Sequence, residues 1–257
     1  MPSLIDPSFF TPFTSPTNHL TIPEHFILRP DGAPHALCRL AAEELQLHLK
    51  TQKVWSHNFG LEENDNGAII GKMFGVLVVH TAEHQLGYLA AFSGKLAGSN
   101  HHERFVPPVF DGLTANSFLN LGMQELTRLN EDIKTLSAIQ SEGTTDELSR
   151  LKTARKNHSV SLQRKLFDQY HFLNRAGIQK SMNDIFKKAL RKNPPAGAGE
   201  CAAPKLLQYA FKHQIKPLAL AEFWWGQSPK SENWKHGHYY ATCIEKCKPI
   251  LAHMLSN

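Results

Sequence analysis

Reactive side chains concentrate in two stretches near the end of the chain, Pro194-Pro-Ala-Gly-Ala-Gly-Glu-Cys-Ala-Ala-Pro-Lys205 and Cys243-Ile-Glu-Lys-Cys247. In the first, two prolines and two glycines make a tight entry, after which Leu206, Leu207, Tyr209, Ala210 and Phe211 recur at helical spacing. Glu200 and Cys201 are therefore expected at a helix N-terminus, where unpaired backbone N–H groups and the helix dipole favour a thiolate. Cys243 and Cys247 stand four apart in a segment that reads as helical at its start, so both sulfurs would share a face. Three thiolates leave one position of a zinc ion (Zn2+) open, the arrangement that holds and acidifies a water. The same residues also suit a structural zinc closed by His236 or His238, or three buried thiols without metal.

Such groups need a scaffold. With 257 residues, 41% hydrophobic and 20% charged, the chain has the composition of an ordinary globular protein with a substantial core. No apolar run is long enough to span a membrane and the N-terminus lacks a signal-peptide pattern, so a cytoplasmic location with no membrane partner is expected. In that compartment four cysteines are thiols or metal ligands rather than a disulfide framework.

Residues 1–34, rich in Pro, Ser, Thr and Phe, read as an extended arm lying on the surface. Leu37, Leu40, Ala41 and Leu45 then form the apolar stripe of an amphipathic helix, with Cys38 as a buried thiol within it. Ile69 to His80 and Leu86 to Gly94 read as an antiparallel hairpin whose near-continuous apolar character asks for helices on both faces. The loop after it carries Lys95 and, together, Asn100, His101 and His102, hydrogen-bonding groups suited to substrate contact or to a solvated surface loop. A third strand is expected over Ile215 to Gly226. Trp224, Trp225, Trp234, Tyr239 and Tyr240 around it are rings able to stack an unpaired base; one of the two adjacent tryptophans belongs in the core, and Trp225 is a candidate substrate contact.

Between these parts the composition changes. Leu126, Leu129, Ile133 and Leu136, and again Leu162, Leu166, Tyr170 and Leu173, recur at three and four, predicting two long antiparallel helices followed by a shorter one from Ile178 to Leu190. Residues 124–150 carry three basic against six acidic residues, whereas residues 151–192 carry eleven against two. The net +9 of the second segment exceeds the +5 of the whole chain, and a concentrated basic stripe is what a phosphate backbone binds. Lys152, Arg155, Lys156, Arg164, Lys165, Lys187, Lys188 and Arg191 are the candidate RNA contacts; a solvated helix face or a coiled coil would look the same.

The order helix, strand, strand, helical insertion, helix with Cys201, strand, helix with Cys243 and Cys247 resembles the core of the cytidine deaminase fold. There one metal ligand opens the helix after the hairpin and two more open the next, with a non-ligand glutamate moving protons. By that resemblance Cys201, Cys243 and Cys247 hold zinc and Asn100 faces the substrate ribose. The chain departs from the pattern at Ala203, where the glutamate is expected, so Glu200 takes that role, with Glu222 of the third strand as the other carboxylate. The cysteine pair is spaced by three residues rather than two, and Thr242 rather than proline precedes it.

A second resemblance covers nearly the whole chain. His35-Ala-Leu-Cys-Arg-Leu-Ala-Ala-Glu-Glu-Leu45, Gly71-Lys-Met-Phe-Gly-Val-Leu-Val-Val79, Phe105-Val-Pro-Pro-Val-Phe-Asp111, Gly197-Ala-Gly-Glu-Cys-Ala-Ala-Pro-Lys-Leu-Leu-Gln-Tyr209 and Ala221-Glu-Phe-Trp-Trp-Gly226 are similar to the long N-terminal region of certain bacterial RluA-type RNA pseudouridine synthases. The His-Arg-Leu-Asp motif of the synthase domain is absent, Thr127-Arg-Leu-Asn130 being different, so no pseudouridine synthase activity is expected in this chain.

The resemblance implies a tRNA-editing system in which this part deaminates cytidine to uridine before isomerisation. Its partners are then tRNA and a pseudouridine synthase domain in the same or another chain. The alternative is a non-catalytic, zinc-containing RNA-binding module serving such a synthase. The fold expected is α/β (α+β), with a small deaminase-like core from residues 1–115 and 194–257. A long helical hairpin, the basic RNA-holding insertion, occupies residues 116–193.

Overall fold

The structure, a computed structural model, describes residues 9–63, 67–112, 114, 117–139, 144–188 and 193–257. In chain order the elements are β1 (Phe10–Pro12), α1 (Ala36–Thr51), β2 (Lys72–His80), β3 (Leu86–Phe92), α2 (Phe118–Ala138), α3 (Thr144–Asp168), β4 (His171–Leu173), β5 (Gln179–Ser181), α4 (Met182–Lys188), α5 (Ala202–Lys212), β6 (Lys216–Trp225), β7 (Tyr239–Tyr240) and α6 (Lys248–Met254). They fall into two units, Met1–Val109 with His171–Asn257, and Phe110–Tyr170. The short hairpin β4–β5 and helix α4 belong to the first unit.

The first unit is built on a five-stranded antiparallel sheet in the order β1-β3-β2-β6-β7. Alternation along the strands sends Phe74, Val76, Val78, Ala219, Ala221, Phe223 and Trp225 to one face, where they pack with Leu37, Ala41, Leu45 and Leu49 of α1. The other face receives α5, which packs in turn against α6. With helices on both sides the strands bury nearly every side chain, which is why they read as continuous apolar runs.

Gly75 of β2 is the point of closest approach between α5 and the sheet. A Cβ there would lie 2.9 Å from the Ala202 Cβ and 3.0 Å from a Leu206 methyl, so only glycine lets the first turn of α5 come down on the strand. Cys38 is buried in α1, and burial raises its thiol pKa to about 12.

Three local predictions change. The N-terminal arm is tied into the sheet: β1 pairs with the edge of β3, the backbone N–H groups of Thr14 and Ser15 donate to Glu44, and Ile27 bridges to Ala219. The stripe ending at Leu173 is interrupted, because α3 stops at Asp168 and Leu173 lies in β4, paired with Gln179. Finally, Cys243 to Cys247 forms a single turn rather than the start of a helix, with Cys247 capping α6. Pro249 lacks an N–H and tolerates only a first-turn position, so α6 starts at Lys248. The predicted short helix is α4; of its expected span, residues 189–190 lie outside the described residues.

The second unit is the hairpin of α2 and α3. Gly122 faces Leu162 so closely that a Cβ would meet its methyls at 2.5 Å, and the Gly122 carbonyl lies 3.0 Å from the His158 ring.

Candidate metal and proton-transfer site

Cys201 is the N-cap residue of α5, with extended φ and ψ of −72° and 156°, and its side chain makes no capping hydrogen bond. The turn leading to it depends on Gly197 and Gly199, both at positive φ (74° and 85°). Around them Ala198 N–H donates to the Pro195 carbonyl and Gly94 N–H donates to the Glu200 carbonyl. The Cys243–Cys247 turn lies against this segment, since the Lys246 Nζ is 3.5 Å from where a Gly197 Cβ would stand. Two short backbone segments, each ending in a cysteine that opens a helix, are thus side by side.

The Cys247 thiol is buried and within hydrogen-bonding reach of Cys201. That hydrogen bond, then burial, then the negative charge of Cys201, Glu222 and Cys243 push its pKa upward. Cys243 is exposed and one turn away; its Sγ accepts the Lys246 N–H at 3.5 Å, the kind of backbone contact that supports sulfur charge. Among the described residues, no three His, Cys, Asp or Glu side chains are gathered closely enough to hold a metal ion. Cysteine sulfur is a donor type that zinc takes, and Cys201, Cys243 and Cys247 supply three of them at the entries to α5 and α6. His236 is committed elsewhere: its Nδ1 accepts the Gly226 N–H at 3.0 Å and its ring lies 4.3 Å from that of Trp225, which faces α1. His238 is exposed.

The two carboxylates differ sharply. Glu200 is 29% exposed and its Oε2 lies 3.6 Å from the ammonium of Lys205. That ammonium is itself buried at 2% exposure, donates to the carbonyls of Phe92 (3.1 Å) and Gly94 (3.2 Å), and lies 5.3 Å from the centre of the Phe92 ring. Burial lowers the Lys205 pKa, opposed by the charges of Glu200 and Cys201. Glu222, in contrast, is 4% exposed on the α5 face of β6, directly opposite Gly75 on one side and Tyr240 on the other. Its Oε1 accepts the Ala203 N–H at 3.2 Å, satisfying one of the helix N-terminal donors that Cys201 leaves open. Burial raises its pKa to about 7, with the Ala203 hydrogen bond pulling the other way. Position along the chain favours Glu200, adjacent to Cys201; Glu222 lies nineteen residues from Ala203 and meets it because α5 packs on β6.

Of the remaining candidates, Lys95 and His101 are exposed and Asn100 is buried in the loop after β3, whose start is tied to Glu200 through Gly94. Trp225 is 2% exposed in the α1 layer, with no face left for a base. Trp224 and Tyr240 share the face of Glu222, and a third ring, exposed Trp234, stacks on Trp224 (5.3 Å, 21°) and meets Tyr240 edge-on (4.7 Å). Parity with Glu222 along the strand was the signal that could have chosen Trp224 over its neighbour. Glu222 and Tyr240 line a cavity of only about 10 Å³; cavities of about 740 Å³ beside Phe26 and Arg175 and about 860 Å³ at the edge of Trp225 lie elsewhere.

The RNA candidates divide between the units. Lys152, Arg155, Lys156, Arg164 and Lys165 are exposed on α3, and among the described residues no ion pair involves them. On α2, by contrast, Arg128 holds Glu125 and Asp132 at 2.7 and 2.9 Å. Lys187 of α4 lies 3.9 Å from Asp184; the side chain of Lys188 and all of Arg191 lie outside the described residues.

Compared with protein-family models, curated proteins and solved structures, the chain matches none. No helix among the described residues is long and apolar enough to cross a membrane.

Proposed function

We propose that the chain is a zinc-dependent deaminase that hydrolyses cytidine to uridine in tRNA, the first step of cytidine-to-pseudouridine editing. The observation that carries this reading is the placement of Cys201 and Cys247 as the opening residues of two packed helices, sulfurs within reach of each other, beside a buried carboxylate. The order of elements supports it, with the hairpin β2–β3 before α5 and β6 between α5 and α6. Cys201, Cys247 and Cys243 would hold the zinc, which when bound would acidify a water for attack on the base.

The net reaction adds water at C4 and releases N4 as ammonia. A target cytosine reaches such a site only when turned out of its stack, and the rings of Trp224, Trp234 and Tyr240 on the Glu222 face offer a stacking surface for an unpaired base. The exposed cations of α3 supply contacts for the tRNA backbone.

The test is conversion itself. The zinc-loaded chain is incubated with tRNA from the source organism deleted for this gene, and complementary DNA is sequenced for cytidine read as thymidine. Conversion absent from Cys201→Ala and Cys247→Ala supports the reading. Full zinc occupancy and tRNA binding without conversion favours the alternative, a non-catalytic RNA-binding module.

A further inference from the structure

We infer that the cleft at the C-terminal end of α1 binds a single nucleotide unit, taking its phosphate on Lys50 and Lys53 and its base on Trp55. The inference goes beyond the deaminase reading and does not rest on it.

The cleft holds about 860 Å³, inside the range of roughly 300–1,000 Å³ that small-molecule sites occupy. Every residue lining it belongs to the unit of Met1–Val109 and His171–Asn257. Its wall is pre-formed. The Gln52 side chain accepts the N–H groups of Val54 and Trp55 at 3.0 and 3.2 Å and donates to the Trp55 carbonyl at 2.9 Å, which clamps the turn leaving α1. The half-buried Trp55 ring rests on those of His102 (5.1 Å) and Phe59 (6.4 Å). An indole held in this way stacks an unpaired base without first having to be ordered.

The charges of the cleft define what else the ligand carries. Lys50 and Lys53 are exposed, and among the described residues no ion pair involves either. The Lys50 ammonium lies 5.7 Å from the centre of the Trp225 ring, which places it over the floor of the cleft. His236 adds a neutral donor. Its Nδ1 accepts the Gly226 N–H at 3.0 Å, which assigns the ring proton to Nε2, and burial, then the Lys50 charge, lower its pKa below the ordinary 6.5. Glu62 supplies an acceptor suited to a sugar hydroxyl or an amino group. Two cations, a flat ring and a carboxylate match the phosphate, base and sugar of one nucleotide. A bare anion would leave Trp55 unused, and an apolar ligand would make no use of the two ammonium groups.

Calorimetric titration of the full chain with AMP and UMP, and with adenosine, uridine and inorganic phosphate as probes of the parts, tests this without zinc, tRNA or conversion. Its failure therefore leaves the deaminase reading where it stood. The expected result is binding of the mononucleotides about tenfold or more tighter than of the nucleosides or phosphate, the least that charge-assisted bonds to the phosphate contribute. Lys50→Gln combined with Lys53→Gln should remove that advantage, and Trp55→Leu should weaken binding by about 5–150-fold, the worth of stacking one base. Lys216→Gln, at an exposed lysine opening β6, should change nothing. Hexaadenylate separates the two sources of such a ligand. Binding tighter than that of AMP, and weakened by the same two lysine replacements, identifies a single strand; equal binding identifies a free nucleotide. Unmeasurable binding of the mononucleotides and the hexanucleotide, affinity unchanged in the doubly replaced chain, or phosphate bound as tightly as AMP overturns the inference.

Discussion

Lys205 shows how a single buried charge organises this site without belonging to its chemistry. Its ammonium reaches two carbonyls at the end of β3, the Glu200 carboxylate and the face of Phe92, so one side chain of α5 fixes both the hairpin end and the segment that delivers Cys201. Lys205→Met keeps the aliphatic bulk and removes every one of these bonds. The expected cost is about 1–3 kcal/mol, set by the buried Phe92 carbonyl left unpaired, and urea denaturation measures it. His35 acts at the other end of the core, where its Nδ1 accepts the Leu37 N–H at 3.2 Å and caps α1. Burial, and then the charge of Arg29, lower its pKa below the ordinary 6.5. The unfolded chain therefore binds the proton first, so this contribution is complete above pH 6.5 and declines as the pH falls toward the folded value. His35→Asn retains an acceptor and should flatten that part of the stability profile in melts taken across pH 4.5–7.5, a range that spans about two units on the acid side of 6.5.

At the scale of elements, the first turn of α5 pressed onto β2 and β6 is the feature on which the site depends. Gly75→Ala should cost about 1–3 kcal/mol through overpacking and lower conversion further than stability alone explains, because α5 carries Cys201 and Ala203 away from Glu222 as it shifts. Parallel denaturation and conversion assays on this variant separate the two effects. The periodic elements were legible from sequence, because hydrophobic spacing is local: α1, the β2–β3 hairpin, α5, β6 and the α2–α3 pair all follow it. Elements fixed by distant partners were not. β1 is strand only because β3 offers an edge, and Leu173 continues the three-and-four stripe of α3 yet pairs with Gln179 in β4. The site was half legible for the same reason. Cysteine spacing and the Pro-Gly entry marked Cys201, Cys243 and Cys247, whereas the meeting of Glu222 with Ala203 depends on strand order, which no window of sequence contains.

For the whole molecule, the proposed function assigns chemistry to one unit and the binding of tRNA to the other. The residues proposed for deamination all lie in the unit formed by Met1–Val109 and His171–Asn257, while Lys152, Arg155, Lys156, Arg164 and Lys165 lie in the unit Phe110–Tyr170. Reversing Lys152, Arg155 and Lys156 to glutamate should weaken tRNA binding uniformly across sequences and reduce the slope of log affinity against log salt by roughly 2–3, while leaving zinc content intact. A salt titration by filter binding or fluorescence anisotropy reads that slope directly.

The central claim is that this chain turns cytidine into uridine, and sequencing of tRNA incubated with the zinc-loaded protein tests it most directly. The account predicts cytidine read as thymidine at a discrete position, lost in Cys201→Ala and in Cys247→Ala. Unchanged cytidine in the presence of wild-type protein that carries zinc and binds tRNA would contradict it.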